Sequence, residues 1–122
     1  MMPKPNEQHR AILDDILLRV PGVYARKTFG SPAYYVEGKM FACVFGDSIA
    51  LKLPEATIVE VLKREDAGPF QPGGKMMMRG WVRIHRSDSS HYREDEALLL
   101  QALEFVTELA KAAPAKKKAK GT

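Results

Sequence analysis

The sequence predicts an α+β domain in two layers, an antiparallel sheet packed against helices. Three observations carry that class: apolar residues at helical spacing near both ends, three short apolar runs between residues 33 and 53 cut by glycine-containing turns, and an alternating run over residues 81–86. In order they read helix, strands, helix, strands, helix, which sets helices against an antiparallel sheet. The length agrees, since 122 residues with 45% hydrophobic content suit a single domain with its own core.

Ile12, Leu13, Ile16, Leu17 and Val20 fall on one helical face, with Asn6 as cap and Pro21-Gly22 as stop. A strand over residues 23–29 follows. Three further strands, near residues 33–37, 39–45 and 48–53, are separated by the Glu37-Gly38 and Gly46-Asp47 turns. In the last of them Ile49, Leu51 and Leu53 alternate with Ala50 and Lys52, so one face is buried. The middle run, Met40-Phe41-Ala42-Cys43-Val44-Phe45, is apolar on both faces. It predicts either a central strand covered on two sides or an apolar face awaiting a partner, a dimer seam included.

Pro54 opens a short helix with Ile58, Val61 and Leu62 as its buried stripe, ended by Gly68-Pro69. Gly73-Gly74 then turns the chain into a closing hairpin in which Val82 and Ile84 face inward. Asp88, Ser89 and Ser90 offer caps, and Glu94, Asp95 and Glu96 occupy the first turn of the last helix. Leu99, Ala102, Leu103, Val106, Leu109 and Ala110 form the stripe of that helix. The organisation expected is a flexible N-terminus at 1–5, one domain at 6–113 and a disordered lysine-rich tail at 114–122.

Formal net charge is +4, but Lys116, Lys117, Lys118 and Lys120 lie in the last nine residues with no acid, so the body is +4 minus 4, or balanced. The basic character belongs to the tail. Its lysines can bind polyanions weakly, with a salt slope no steeper than about −4, or simply solubilise the terminus. No apolar run is long enough to span a bilayer, and Met1-Met2-Pro3-Lys4-Pro5 leads into a polar segment. A single cysteine, Cys43, excludes an intramolecular disulfide framework and reads as a small core side chain. The expectation is a soluble protein of a reducing, cytoplasmic compartment.

Metal and cofactor chemistry find no support in spacing: His9, His85, His91 and Cys43 show neither a Cys-x-x-Cys pair nor a histidine pair at i, i+4. Asp88, Ser89 and His91 have the residue types of a triad, yet a Ser-Asp-Ser-Ser-His run before a helix is ordinarily a capping loop. Asp14-Asp15 point to different parts of a helix surface and read as solvated. Gly73-Gly74-Lys75 lacks the other parts of a phosphate-binding loop. Met76-Met77-Met78 suits a bulged strand or an adaptable binding surface. No catalytic, cofactor or metal residue is assigned, and neither an enzyme nor a small-molecule substrate is expected.

The remaining constellation is basic and aromatic. Residues 75–86 carry Lys75, Arg79, Arg83 and Arg86 and no acid. With period two, Arg79, Trp81, Arg83 and His85 share one face, and with Lys75 they form the candidate interaction face. Such a face can stack on bases and hold phosphates, or anchor a protein partner. Alternatively, the terminal helix covers Trp81 and the arginines pair with Glu94, Asp95 or Glu96.

Arg26-Lys27-Thr28-Phe29-Gly30, Gly38-Lys39-Met40-Phe41-Ala42, Leu51-Lys52-Leu53, Gly68-Pro69-Phe70 and the strand over residues 78–84 carry a resemblance. Through them residues 10–110 resemble the N-terminal domain of TfoX/Sxy-type competence regulators. The resemblance implies a two-layer α+β fold shared with the YjbR-like group and type III secretion chaperones, written α-β(3-4)-α-β(2)-α, standing alone without the regulators' C-terminal domain. It implies a non-enzymatic domain acting through protein contacts, with a protein partner or homodimer, in transcriptional or competence-type regulation. The alternative is direct nucleic-acid binding through the strand at 75–86 and the lysine tail.

Overall fold

The computed structural model describes residues 4–28, 30–71 and 80–121, with side chains through residue 112. Helix α1 (Glu7–Leu17) leads into strands β1 (Tyr24–Thr28), β2 (Ser31–Val36), β3 (Lys39–Phe45) and β4 (Ser48–Lys52). Helix α2 (Glu55–Val61), strands β5 (Ala67–Pro69) and β6 (Trp81–Ile84), a 3-10 helix (Ser89–Asp95) and helix α3 (Glu96–Gly121) complete the chain. The strands form one antiparallel sheet in the order β1-β2-β3-β4-β6-β5.

One sheet face carries the main core. Leu13, Ile16 and Leu17 of α1 and Leu99, Ala102 and Val106 of α3 pack on Tyr34, Val44, Ile49, Leu51, Val82 and Ile84. The Met40–Phe45 run is the central strand of the expected pair of alternatives, and a β-bulge explains its composition. Tyr34 pairs with Ala42 while Tyr35 pairs with Met40, so Phe41 is an extra residue. At a bulge two successive side chains oppose one on the partner strand, and here Phe41 and Ala42 both enter the main core. Met40, Cys43 and Phe45 fall on the other face, where Ala33, Cys43, Ala50, Phe70 and Trp81 form a second buried cluster. Burial there raises the Cys43 thiol to about 12, as desolvation of a thiolate requires.

Several local expectations are corrected. Pro54 stands just outside α2 as its cap, since its φ of −59° with ψ of 149° is extended. Leu62 and Leu109, placed on buried stripes, are 42% and 38% exposed. Gly68-Pro69 does not end a helix: α2 stops at Val61, and these residues form edge strand β5 against β6, a position where proline's missing donor costs little. Asp95 does not lie in the first turn of α3 but closes the 3-10 helix, buried against Arg64 and Arg86.

Candidate functional site

The best-built polar site forms where the start of α1, the β3–β4 turn and the end of β6 meet. Asn6 sets the helix entrance: its side-chain oxygen accepts from the Gln8 and His9 amides, its own amide donates to the Gly46 carbonyl, and its Nδ2 donates to Asp47 Oδ1 at 2.6 Å. One capping residue thus ties α1 to the hairpin turn. His9, in the first turn, is wholly buried with the Tyr92 ring edge-on at 4.7 Å. Its Nδ1 lies 2.6 Å from Ser89 Oγ, and its Nε2 lies 3.1 Å from the Asp47 carbonyl and 3.3 Å from Asp47 Oδ1. His85, just past β6, brings its Nδ1 to 2.6 Å from the same carbonyl and 3.6 Å from Asp47 Oδ2.

Desolvation is the largest influence on His9 and lowers its pKa, against the raising effects of the Asp47 carbonyl and carboxylate. His9 is therefore held neutral. A carbonyl can only accept, so Nε2 carries the proton and donates to Asp47, while Nδ1 accepts from the Ser89 hydroxyl. That assignment does not suit acyl transfer. The Ser89 oxygen is buried and turned to Nδ1, and the Asp47 carboxylate is 65% exposed, whereas a triad needs an open nucleophile and a buried orienting acid. Asp88 and His91, grouped with Ser89 by proximity in sequence, do not join it: Asp88 accepts from the Ser90 amide and hydroxyl, and His91 is exposed.

Of the expected interaction face, Trp81 is 7% exposed and packs on Phe70, with ring centroids 5.9 Å apart. Phe70 covers it from the sheet face opposite α3, so the ring is unavailable to a base or a partner. Arg83 lies across Gly68, with its guanidinium 3.1 Å from where a Cβ would stand, and its Nη1 is 3.4 Å from Ser48 Oγ. His85 belongs to the Asp47 cluster. Lys75 and Arg79 lie outside the described residues, as do the side chains of Lys116, Lys117, Lys118 and Lys120. Arg86, outside that face, pairs with Asp95 and, at 3.8 Å, with Glu94. Asp14 and Asp15 are not merely solvated: Asp14 accepts from the Tyr34 hydroxyl at 2.6 Å, and Asp15 pairs with Arg19 and Arg93.

His9, Asp47 and His85 escaped sequence reasoning because no two of them share an element. The signals were present singly, as the Asn6 cap and the Gly46-Asp47 turn, but only the packing of α1 over the β3–β4 turn joins them.

The fold and site define an α+β domain with an open antiparallel sheet and helices on one face, and no hydrolytic centre is assembled among the described residues. Residues 15–115 match the family model of the TfoX N-terminal domain, and this chain belongs to that family. No curated protein and no solved structure matches it. No helix among the described residues is long and apolar enough to cross a membrane.

Proposed function

We propose that this domain is a non-enzymatic regulatory module of the competence type that works by binding protein, with the partner docking on the free edge of β1. The state of that strand carries the reading. Among the described residues, Tyr24–Thr28 stands at one end of the sheet, pairs with β2 alone, and is exposed over its first four residues. An edge strand turns half of its amides and carbonyls away from its one neighbour, and an added strand satisfies them.

The chemistry of the edge names its occupant. Tyr-Ala-Arg-Lys-Thr holds two cations and no acid. Arg26 lies over the Tyr35 ring at 5.7 Å, and Tyr35 stacks on Tyr24 at 5.6 Å, so the surface is stiffened before anything binds. An extended protein segment with acidic side chains fits it, whereas a second copy would set like charges opposite one another. Membership of the TfoX N-terminal family supports the regulatory role, and the lone cysteine suits the reducing cytoplasm in which we place it. Burial of Trp81 removes the stacking platform that favoured nucleic acid.

Selection of displayed random peptides on the full chain tests this. The expected binders are rich in Asp and Glu, protect β1 amides from hydrogen exchange, and lose about tenfold or more in affinity when Arg26→Glu and Lys27→Glu are combined. Far-UV circular dichroism should not change. Peptides indifferent to the charge reversal refute the docking edge. Tight binding of labelled duplex DNA at physiological salt by a chain ending at Ala113 refutes the protein-binding reading.

A further inference from the structure

We infer that His9, Asp47 and His85 form a binding site for a divalent transition-metal ion of the zinc class. The three residues can each offer one ligand atom, all within 4.8 Å of one another. One spacing is that of a filled site, and a second, to the other oxygen of the same carboxylate, is slightly longer. Metal–nitrogen and metal–oxygen bonds of about 2.0–2.1 Å in tetrahedral array put neighbouring ligand atoms about 3.3–3.4 Å apart. His9 Nε2 stands 3.3 Å from Asp47 Oδ1, and His85 Nδ1 stands 3.6 Å from Asp47 Oδ2.

The surrounding groups behave as the supports of such a site. A ligating histidine ordinarily donates its other ring N–H to an oxygen, which fixes the ring. Ser89 Oγ stands 2.6 Å from His9 Nδ1 and can take that hydrogen bond. Asn6 Nδ2 donates to Asp47 Oδ1 and holds the carboxylate in place. Binding asks for a tautomer change, in which the proton on His9 Nε2 moves to Nδ1, where the Ser89 oxygen accepts it, and the proton on His85 Nδ1 moves to Nε2; the Asp47 carbonyl, 3.1 and 2.6 Å from the two ring nitrogens, then loses both donors and must turn to the ion or aside. In those tautomers both ligand lone pairs face the ion.

The donor set selects the metal. Two imidazole nitrogens and one carboxylate suit zinc and its first-row neighbours, whereas magnesium and calcium demand oxygen shells. Asp47 is 65% exposed and His85 40% exposed, so the ion has an open approach and room for a water ligand. It would tie together three segments far apart in sequence: the start of α1, the β3–β4 turn and the end of β6. This inference is independent of the β1 edge.

The test is a titration of the full, untagged, chelator-treated chain with Co2+, followed by its visible d–d absorption, and then displacement by Zn2+. One equivalent should bind with the absorption of a four- or five-coordinate ion, and zinc should remove it. His85→Ala and Asp47→Asn should each weaken binding by about tenfold or more, and His91→Ala should leave it unchanged. Nitrogen chemical shifts of the unsubstituted chain give a reading free of any folding defect. Zinc should move the ring signals of His9 and His85 and leave those of His91 in place. Absence of binding at millimolar metal, unchanged affinity in His85→Ala, or a ring shift confined to His91 would overturn the site.

Discussion

Removing the Asp95 carboxylate should unfold more of the stability than its one side chain suggests. Asp95 is 3% exposed and accepts from Arg64 Nη1 at 3.0 Å, Arg86 Nε at 2.7 Å and Arg86 Nη2 at 3.0 Å. Arg64 keeps a second partner in Asp66, with bonds of 2.9 and 2.7 Å. Among the described residues Arg86 keeps only distant ones, Asp66 at 4.0 Å and Glu94 at 3.8 Å, although its side chain is only 18% exposed. Asp95→Ala therefore strands one half-buried guanidinium rather than two. Breaking a buried pair costs about 3–5 kcal/mol, and the retained Arg64–Asp66 pair places this case at the lower end, about 3 kcal/mol. For a domain of this size that is a fall of roughly 10 °C in Tm. Urea unfolding and calorimetry read both quantities. The combined variant Arg86→Met with Asp95→Leu should lose less than Asp95→Ala alone, because no charge is left without a partner. A loss below about 1 kcal/mol, or a double variant worse than the single one, would refute the reasoning. The consequence reaches the site, since Asp95 and Ser89 are the two ends of the same 3-10 helix.

Tyr92→Phe should cost about 1–3 kcal/mol in urea unfolding, because the hydroxyl accepts from the Arg86 amide at 3.0 Å and donates to the Ile84 carbonyl at 3.2 Å inside the core; an unchanged midpoint would show those groups satisfied another way. The Arg64 hydrogen bond holds the Asp66 carboxyl below its ordinary value of 3.8. A depressed folded-state pKa means the contribution is complete above the unfolded value and is lost as pH falls through the folded one. Stability should therefore drop on acidification below about pH 4, and Asp66→Asn should flatten that limb; an identical acid profile for the variant would count against it. Native Cys43, 6% exposed with its thiol raised to about 12, should react with a disulfide reagent only on unfolding. Prompt labelling of the folded chain would contradict that burial.

Much of the architecture was legible because it is written in local pattern. Asn6, Leu13, Ile16 and Leu17 announce α1, and each does in the fold what its spacing implies. The Glu37-Gly38 turn is visible because a two-residue hairpin needs positive φ twice, and the chain adopts +53° and +77° there. The Met40–Phe45 run was ambiguous for a physical reason. A bulge at Phe41 breaks the period of two, and nothing in a row of apolar residues marks where the extra one sits. Trp81 was ambiguous as well, since alternation states which side of the strand it leaves and not what covers that side.

The sequence by itself determined the class of this protein: its helices, its hairpins, its balanced body and its family motifs, all of which depend on neighbours a few residues away. Only the tertiary structure decided where chemistry can occur. It turned Trp81 inward against Phe70, left β1 as an edge strand among the described residues, and brought His9, Asp47 and His85 within reach of one another. Those three are separated by 38 residues in each step, from 9 to 47 and from 47 to 85. No spacing rule links positions so far apart, because their meeting is set by strand register and by the seat of α1 on the β3–β4 turn.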